Sequence, residues 1–245
     1  MKKYLITTIL FFISSSGFAI NTVFVGDSHA YGQFGNEIDS YLRKVSKNVT
    51  TIASCGSSPS TWMAEDTSKA TNCGYWRKDV KNKELRVKDH MGDSFAKEVK
   101  ALHPDLTVIA LGTNMLGSPS TVQNEKQYIK AMLDTVKKNN SECIWIGPPA
   151  ASKDPYKLNL AQGVKEIKEL AEKSDCAFID STTLTQNPSG QSDGIHFSDQ
   201  DSKKWGAKVV AKMRKLPQVS RAREKSVQPV MDPSESDAAD ASNIR

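Results

Sequence analysis

Apolar residues along the chain follow two alternating rhythms. Short runs rich in β-branched and aliphatic residues recur at Thr22-Val23-Phe24-Val25, at 49–53, at 106–111, at Ile144-Trp145-Ile146 and at Ala177-Phe178-Ile179. Between them, apolar positions return every three or four residues: Phe34, Ile38, Leu42 and Val45; 94–102; Tyr128, Ile129, Met132, Leu133 and Val136 within 125–138; 158–173; and 203–216. The second rhythm predicts helices with one buried face. Near-continuous apolar strands separated by helices predict a parallel sheet covered on both sides. The expected architecture is a three-layer, doubly wound α/β sandwich with a five-stranded parallel sheet in the flavodoxin-like order 2-1-3-4-5.

Two regions break the rhythm. Residues 54–90 are polar and long for a connection, and contain Pro59, Trp62, Tyr75 and Trp76; such a loop in a compact domain is usually functional or disordered. Trp62, Tyr75 and Trp76 suit either an aromatic wall for a sugar ring or packing of that loop. Residues 217–245 have few apolar positions and are expected to be a disordered tail. The pattern therefore divides into 1–19, a single globular domain over 20–216, and the tail.

The first nineteen residues bear on compartment. Met1-Lys2-Lys3 is a basic start, the following run is mainly apolar to Ile13, and Gly17 and Ala19 suit cleavage after Ala19. This reads as a secretory signal peptide, and the run is too short for a comfortable membrane span. With no cysteine near the cleavage site, no stable membrane anchor is expected after cleavage. The protein is expected outside the cytoplasm, in a periplasmic or extracellular setting. Export fits an even cysteine count: Cys55, Cys73, Cys143 and Cys176 allow three connectivities. Cys55 with Cys73 is the favoured pair, closing a loop of about 18 residues at about 3 kcal/mol. Cys143 and Cys176 each precede an expected strand and can meet across adjacent strand starts. Losing two lysines with the signal lowers the net charge from +5 to +3. The charges are spread without a dense basic run, which argues against a nucleic-acid partner. No CxxC or histidine cluster points to a metal, and no cofactor is implied.

In an open parallel sheet, ligands bind beyond the carboxyl ends of the strands. There the chain carries Gly26-Asp27-Ser28-His29, then Ser54-Cys55-Gly56-Ser57, then Gly112-Thr113-Asn114, and finally Asp193-Gly194-Ile195-His196-Phe197. These parts suit acyl transfer. A serine hydroxyl needs an imidazole to take its proton, the imidazole needs an acceptor to orient it, and the tetrahedral intermediate needs hydrogen-bond donors. Ser28, His196 and Asp193 are the candidates for the first three roles. The N–H groups of Ser28 and Gly56 and the amide of Asn114 are candidates for the oxyanion donors. Glycine at 56 would let the backbone come close without a Cβ.

These four blocks, in this order from Gly26 to His196, resemble the SGNH (GDSL-like) hydrolases. Pro104-Asp105 before the third strand and Gly147-Pro148-Pro149 after the fourth extend the resemblance. It implies a metal-independent hydrolase with Ser28 as nucleophile, His196 as general base, Asp193 orienting it, and Ser28, Gly56 and Asn114 forming the oxyanion hole. Two positions depart from the pattern: Met115 follows the asparagine where the family often has Asp, and His29 follows the serine where an apolar residue is common. The Gly-x-Ser-x-Gly elbow of ordinary α/β-hydrolases is absent. An exported esterase with mostly polar loops after its strands points to O-acetyl groups on a cell-envelope or other polysaccharide, or to a small ester. The alternatives are a lysophospholipase or thioesterase for short acyl chains, and a glycan-binding module with weakened catalysis.

Overall fold

The computed structural model describes residues 20–64, 70–71, 73–188 and 193–226. The expected signal segment and residues 227–245 lie outside them. The first half contributes β1 (Asn21–Gly26), α1 (Ser28–Tyr31), α2 (Gln33–Val45), β2 (Asn48–Ser54) and α3 (Pro59–Met63). It continues through four short strands, β3 (Ala70–Thr71), β4 (Tyr75–Lys78), β5 (Glu84–Val87) and β6 (His90–Met91). The second half contributes α4 (Phe95–Leu102), β7 (Leu106–Ala110), α5 (Pro119–Lys138), β8 (Glu142–Ile146), α6 (Tyr156–Lys173), β9 (Ala177–Ile179), α7 (Asp199–Met213) and α8 (Pro217–Lys225).

The main sheet has seven strands in the order β5-β4-β2-β1-β7-β8-β9. Strands β2, β1, β7, β8 and β9 pair in parallel, whereas β4 and β5 add antiparallel to the free edge of β2. Side-chain alternation along β1 feeds two cores. Phe24 points to the layer with Phe34, Ile38, Leu42, Trp205 and Val209 from α2 and α7. Val23 and Val25 point to the layer with Phe95, Val99, Ile129, Leu133 and Ile167 from α4, α5 and α6. Burial on both faces is why the parallel strands read as unbroken apolar runs.

The five-stranded expectation is corrected by β4 and β5, which come from the segment read as irregular. Their charges concealed them, since an edge strand carries polar residues. Lys78 pairs with buried Asp39 at 3.0 Å, Arg77 pairs with Glu98, and the Arg86 guanidinium lies 4.1 Å from the Trp76 ring centroid. Trp62, Tyr75 and Trp76 are 3%, 3% and 1% exposed, so they pack the interior and do not form a surface wall. Both favoured cysteine pairs are disulfides, Cys55–Cys73 and Cys143–Cys176. The second joins β8 to the start of β9.

The stretch expected to open a disordered tail at Pro217 instead begins with α8. Proline at the first helical turn suits its start, Val219 and Ala222 are buried, and Arg221 and Lys225 both pair with buried Glu142 at 2.7 Å. Two apolar residues three positions apart are a faint helical signal, and the pairing with Glu142 is invisible from local sequence.

Candidate active site

The carboxyl ends of β1, β2 and β7 and the segment before α7 converge on one edge of the sheet. Asp27 caps the four-residue α1 by accepting the His29 N–H at 3.0 Å, and this short turn presents Ser28. Ser28 Oγ lies 2.8 Å from His196 Nε2. On the other side of the ring, His196 Nδ1 lies 2.7 Å from Asp193 Oδ2. The second oxygen, Oδ1, accepts the N–H groups of Ile195 at 2.9 Å and His196 at 2.7 Å. Gly194 makes that turn at φ +80°, where a Cβ would meet Lys153 Cβ at 2.7 Å, so a glycine is required there. The Gly194 carbonyl is anchored by the Ser152 N–H at 2.8 Å.

Partial burial opposes ionisation of Asp193. The N–H groups of His196 and Ile195 and the His196 ring outweigh it and hold the carboxyl well below the usual carboxylate range. It is therefore an ionised acceptor at neutral pH. A hydroxyl, an imidazole and a carboxylate in series can move a proton off the hydroxyl oxygen.

A second cluster stands beside the serine. Asn114, in the 3₁₀ turn after β7, donates its Nδ2 to the Ser57 carbonyl at 2.8 Å. Ser57 is 2% exposed; its Oγ lies 2.6 Å from the Ser54 carbonyl and accepts the Trp62 indole N–H at 3.0 Å. The same Oγ is 3.4 Å from the Gly26 carbonyl, which ties the β2 end to the β1 end. Glu125, reaching in from α5, accepts the Ser58 hydroxyl at 3.0 Å, the Ser60 N–H at 2.8 Å, and the Ser60 hydroxyl. Among the described residues, neither the Ser28 N–H nor the Gly56 N–H has a hydrogen-bond partner, and Asn114 keeps a second amide hydrogen. Gly56 adopts φ +77°, while an added Cβ would meet nothing nearer than Cys73 Sγ at 3.9 Å. Backbone conformation, not the space a Cβ would fill, is what requires glycine at 56.

The two departures from the family pattern are both buried. Met115 is 0% exposed and packs among Leu116, Val122 and Trp145. His29 is 7% exposed, with its ring centroid 5.4 Å from Trp205 and 5.1 Å from His196, so it lies beneath the site, not on the surface that meets a ligand. Burial, reinforced by His196 and opposed by Asp193, pushes the His29 imidazole down to about 3. Burial pushes the Asp27 carboxyl up to about 7, against the pull of the His29 N–H and His196. Ser57, Glu125 and Trp205 were not singled out from the sequence. Ser58-Pro59, a capping residue with proline next to it, was the one local signal that a helix starts there. Among the described residues, no group of three or more His, Cys, Asp or Glu is arranged to hold a metal ion.

The model of the GDSL-like Lipase/Acylhydrolase family matches residues 24–200. No curated protein matches the sequence. Similar solved structures include a putative arylesterase from Agrobacterium tumefaciens, at 14% identity and TM-score 0.55, covering 80% of this chain and 99% of that one. Another is a catalytic mutant of an acetylxylan esterase from Geobacillus stearothermophilus, at 13% identity and TM-score 0.56, covering 80% and 95%. A third is a carbohydrate acetylesterase from Sinorhizobium meliloti, at 15% identity and TM-score 0.53, covering 79% and 98%. At these identities the likeness is one of fold. The matched family model spans the converging strand ends from β1 to the start of α7, and the chain belongs to the GDSL-like lipase/acylhydrolase family of the SGNH hydrolase superfamily, a carboxylic-ester hydrolase.

Proposed function

We propose that the protein is an exported serine esterase that removes small acyl groups, O-acetyl above all, from a cell-envelope or other polysaccharide. The observation that carries the mechanism is the unbroken series from Ser28 Oγ to His196 Nε2 at 2.8 Å and from His196 Nδ1 to Asp193 at 2.7 Å. His196 takes the Ser28 proton as Oγ attacks the ester carbonyl, and Asp193 holds the ring and its developing charge. The N–H groups of Ser28 and Gly56 and the second amide hydrogen of Asn114 receive the oxyanion. His196 then returns the proton to the departing alcohol, and water, activated by the same ring, releases the acid.

The acetyl preference draws support from the acetylxylan esterase and the carbohydrate acetylesterase among the proteins of similar fold. Export draws support from the signal-like residues 1–19 and from two disulfides, which persist in oxidising compartments. Hydrolysis of p-nitrophenyl acetate and octanoate by the mature protein and by Ser28→Ala tests the reading. Acetate should be the better substrate, and its turnover should fall on the order of 10⁶-fold in the variant. Octanoate preference would point to lipid esters, and turnover that survives in Ser28→Ala would refute the serine mechanism.

A further inference from the structure

Ester cleavage constrains where each half of the substrate sits. The alcohol oxygen leaves with the proton carried by the imidazole Nε2, so the alcohol half lies on the His196 side of Ser28. The carbonyl oxygen of the acyl half points toward Gly56 and Asn114. On the His196 side is a groove of about 330 Å³ between segment 184–188 and the first turns of α7. Phe197, the neighbour of His196, lines it, as does Trp205. Those two rings are 6.0 Å apart, and both stand near His29, itself 5.1 Å from His196. Phe197 and Ser198, the two residues that follow His196, thus bring the groove up to the histidine along the chain.

The chemistry of its lining discriminates between alcohols. The lysines are already engaged: Lys204 Nζ lies 3.0 Å from Asp201, and Lys208 Nζ donates to the Leu184 carbonyl at 2.8 Å. By contrast, Gln186 and Asn187 are exposed in the same groove, and their side chains make no hydrogen bond among the described residues. An amide offers both donors and an acceptor, which matches a hydroxyl, itself donor and acceptor. A phosphate headgroup would call for uncommitted cations instead. Half-buried Phe197 adds an apolar face of the kind that covers the C–H side of a sugar ring. The volume falls at the lower end of small-ligand sites, about 300–1,000 Å³, enough for a short piece of glycan.

We propose that this groove is the alcohol-side subsite and that it holds the hydroxyl-rich sugar unit bearing the ester, with Gln186 and Asn187 bonding its hydroxyls. The inference rests on the esterase reading above. In the reaction, Ser28 Oγ bonds to the acyl carbon, the acyl–O(sugar) bond breaks, and the Ser28 proton ends on the sugar oxygen through His196. Water then cleaves the acyl-enzyme to acetate and free Ser28.

The test compares wild type with Gln186→Ala/Asn187→Ala on partly acetylated xylo-oligosaccharides, on a lysophospholipid and on p-nitrophenyl acetate. The leaving group of the last has no hydroxyl for the amides to bind. Two lost hydrogen bonds should lower kcat/KM on the oligosaccharide about tenfold or more, with the p-nitrophenyl ester unchanged. Equal losses on both esters, or no loss on the oligosaccharide, would overturn the assignment. So would a selective loss on the lysophospholipid. A wild type that cleaves p-nitrophenyl acetate but never the oligosaccharide would fail the polysaccharide reading itself, a result distinct from a silent double variant.

Discussion

The two sides of the proposed catalytic cleft are built on opposite plans. The Asp193–His196 side is open, its side chains 47% and 48% exposed, and the bonds of the Asp193 carboxylate stay within a four-residue turn. On the Ser57–Asn114 side Ser57, Ser58 and Glu125 are buried, Asn114 is half-buried and Gly56 is exposed, and its bonds span long stretches of chain: Asn114 reaches Ser57, and Glu125 reaches Ser58 and Ser60. The difference fits what each side would supply in the proposed mechanism. A general base must meet substrate and water and needs only its orientation fixed, which one carboxylate can do. Oxyanion donors gain their effect from being preorganised in a surrounding that does not relax, and that requires packing from several elements.

Breaking the open side should have the larger effect on rate. Asp193→Asn keeps the shape but removes the charged acceptor, so the ring can settle in the wrong tautomer. By analogy with other such triads, kcat should fall about 10⁴-fold. Because the residue is exposed and its contacts are local, the melting temperature should hardly move. A loss under tenfold would mean that the turn, not the carboxylate charge, orients His196.

Breaking the buried side should act more weakly and in a linked way. Asn114→Ala should cost about 10²–10³ in kcat, the usual effect of one oxyanion donor, with KM little changed. Glu125→Gln leaves an amide where three donors met a carboxylate, and should cost about tenfold by loosening the Ser57–Ser60 segment. If Glu125 acts through Ser57 and Asn114, its effect should largely vanish in the Asn114→Ala background. Strictly additive losses in that cycle would show that the wall is not one unit.

The same contrast governs what could be read from sequence. The open side was legible because Asp193 and His196 sit three residues apart in one turn, and a turn is a local object. Ser28, Gly56 and Asn114 were legible as ends of apolar strands, and five parallel strands emerged from their periodicity. Glu125 was not, since a glutamate on an amphipathic helix looks like any solvated one until α3 is laid against it. Strands β4 and β5 were missed because Arg77, Lys78 and Arg86 look polar in isolation, whereas Asp39, Glu98 and Trp76 meet them across the fold. Helix α8 was missed for the same reason at Glu142. The long aromatic segment left a surface role and packing both open for Trp62, Tyr75 and Trp76, and the edge strand that carries Tyr75 and Trp76 and the short helix that carries Trp62 explain their burial.

A last expected effect is on stability, not rate, and it sharpens the contrast by asking what burial does to charge beneath the serine. Burial pushes the Asp27 carboxyl up to about 7 and the His29 imidazole down to about 3 in the folded protein, against ordinary values of 3.8 and 6.5. As pH rises from 4 toward 7, unfolded Asp27 loses its proton while folded Asp27 keeps it, so stability falls by up to about 1.4 kcal/mol per pH unit. Over the range 3 to 6.5 the unfolded His29 holds a proton that the folded ring lacks, so stability rises with pH by a similar slope. Between 4 and 6.5 the two cancel. Asp27→Asn retains the oxygen that caps α1 through the His29 N–H but removes one titration. The variant should match wild type below pH 4 and become progressively more stable from pH 4 to 7. Above that its advantage should stay constant. Urea unfolding at pH 4.5, 6 and 7.5 measures the gap. A gap that stays flat across this range would mean that Asp27 is solvated in the folded protein, and the layer beneath the serine would then be wetter than its packing implies.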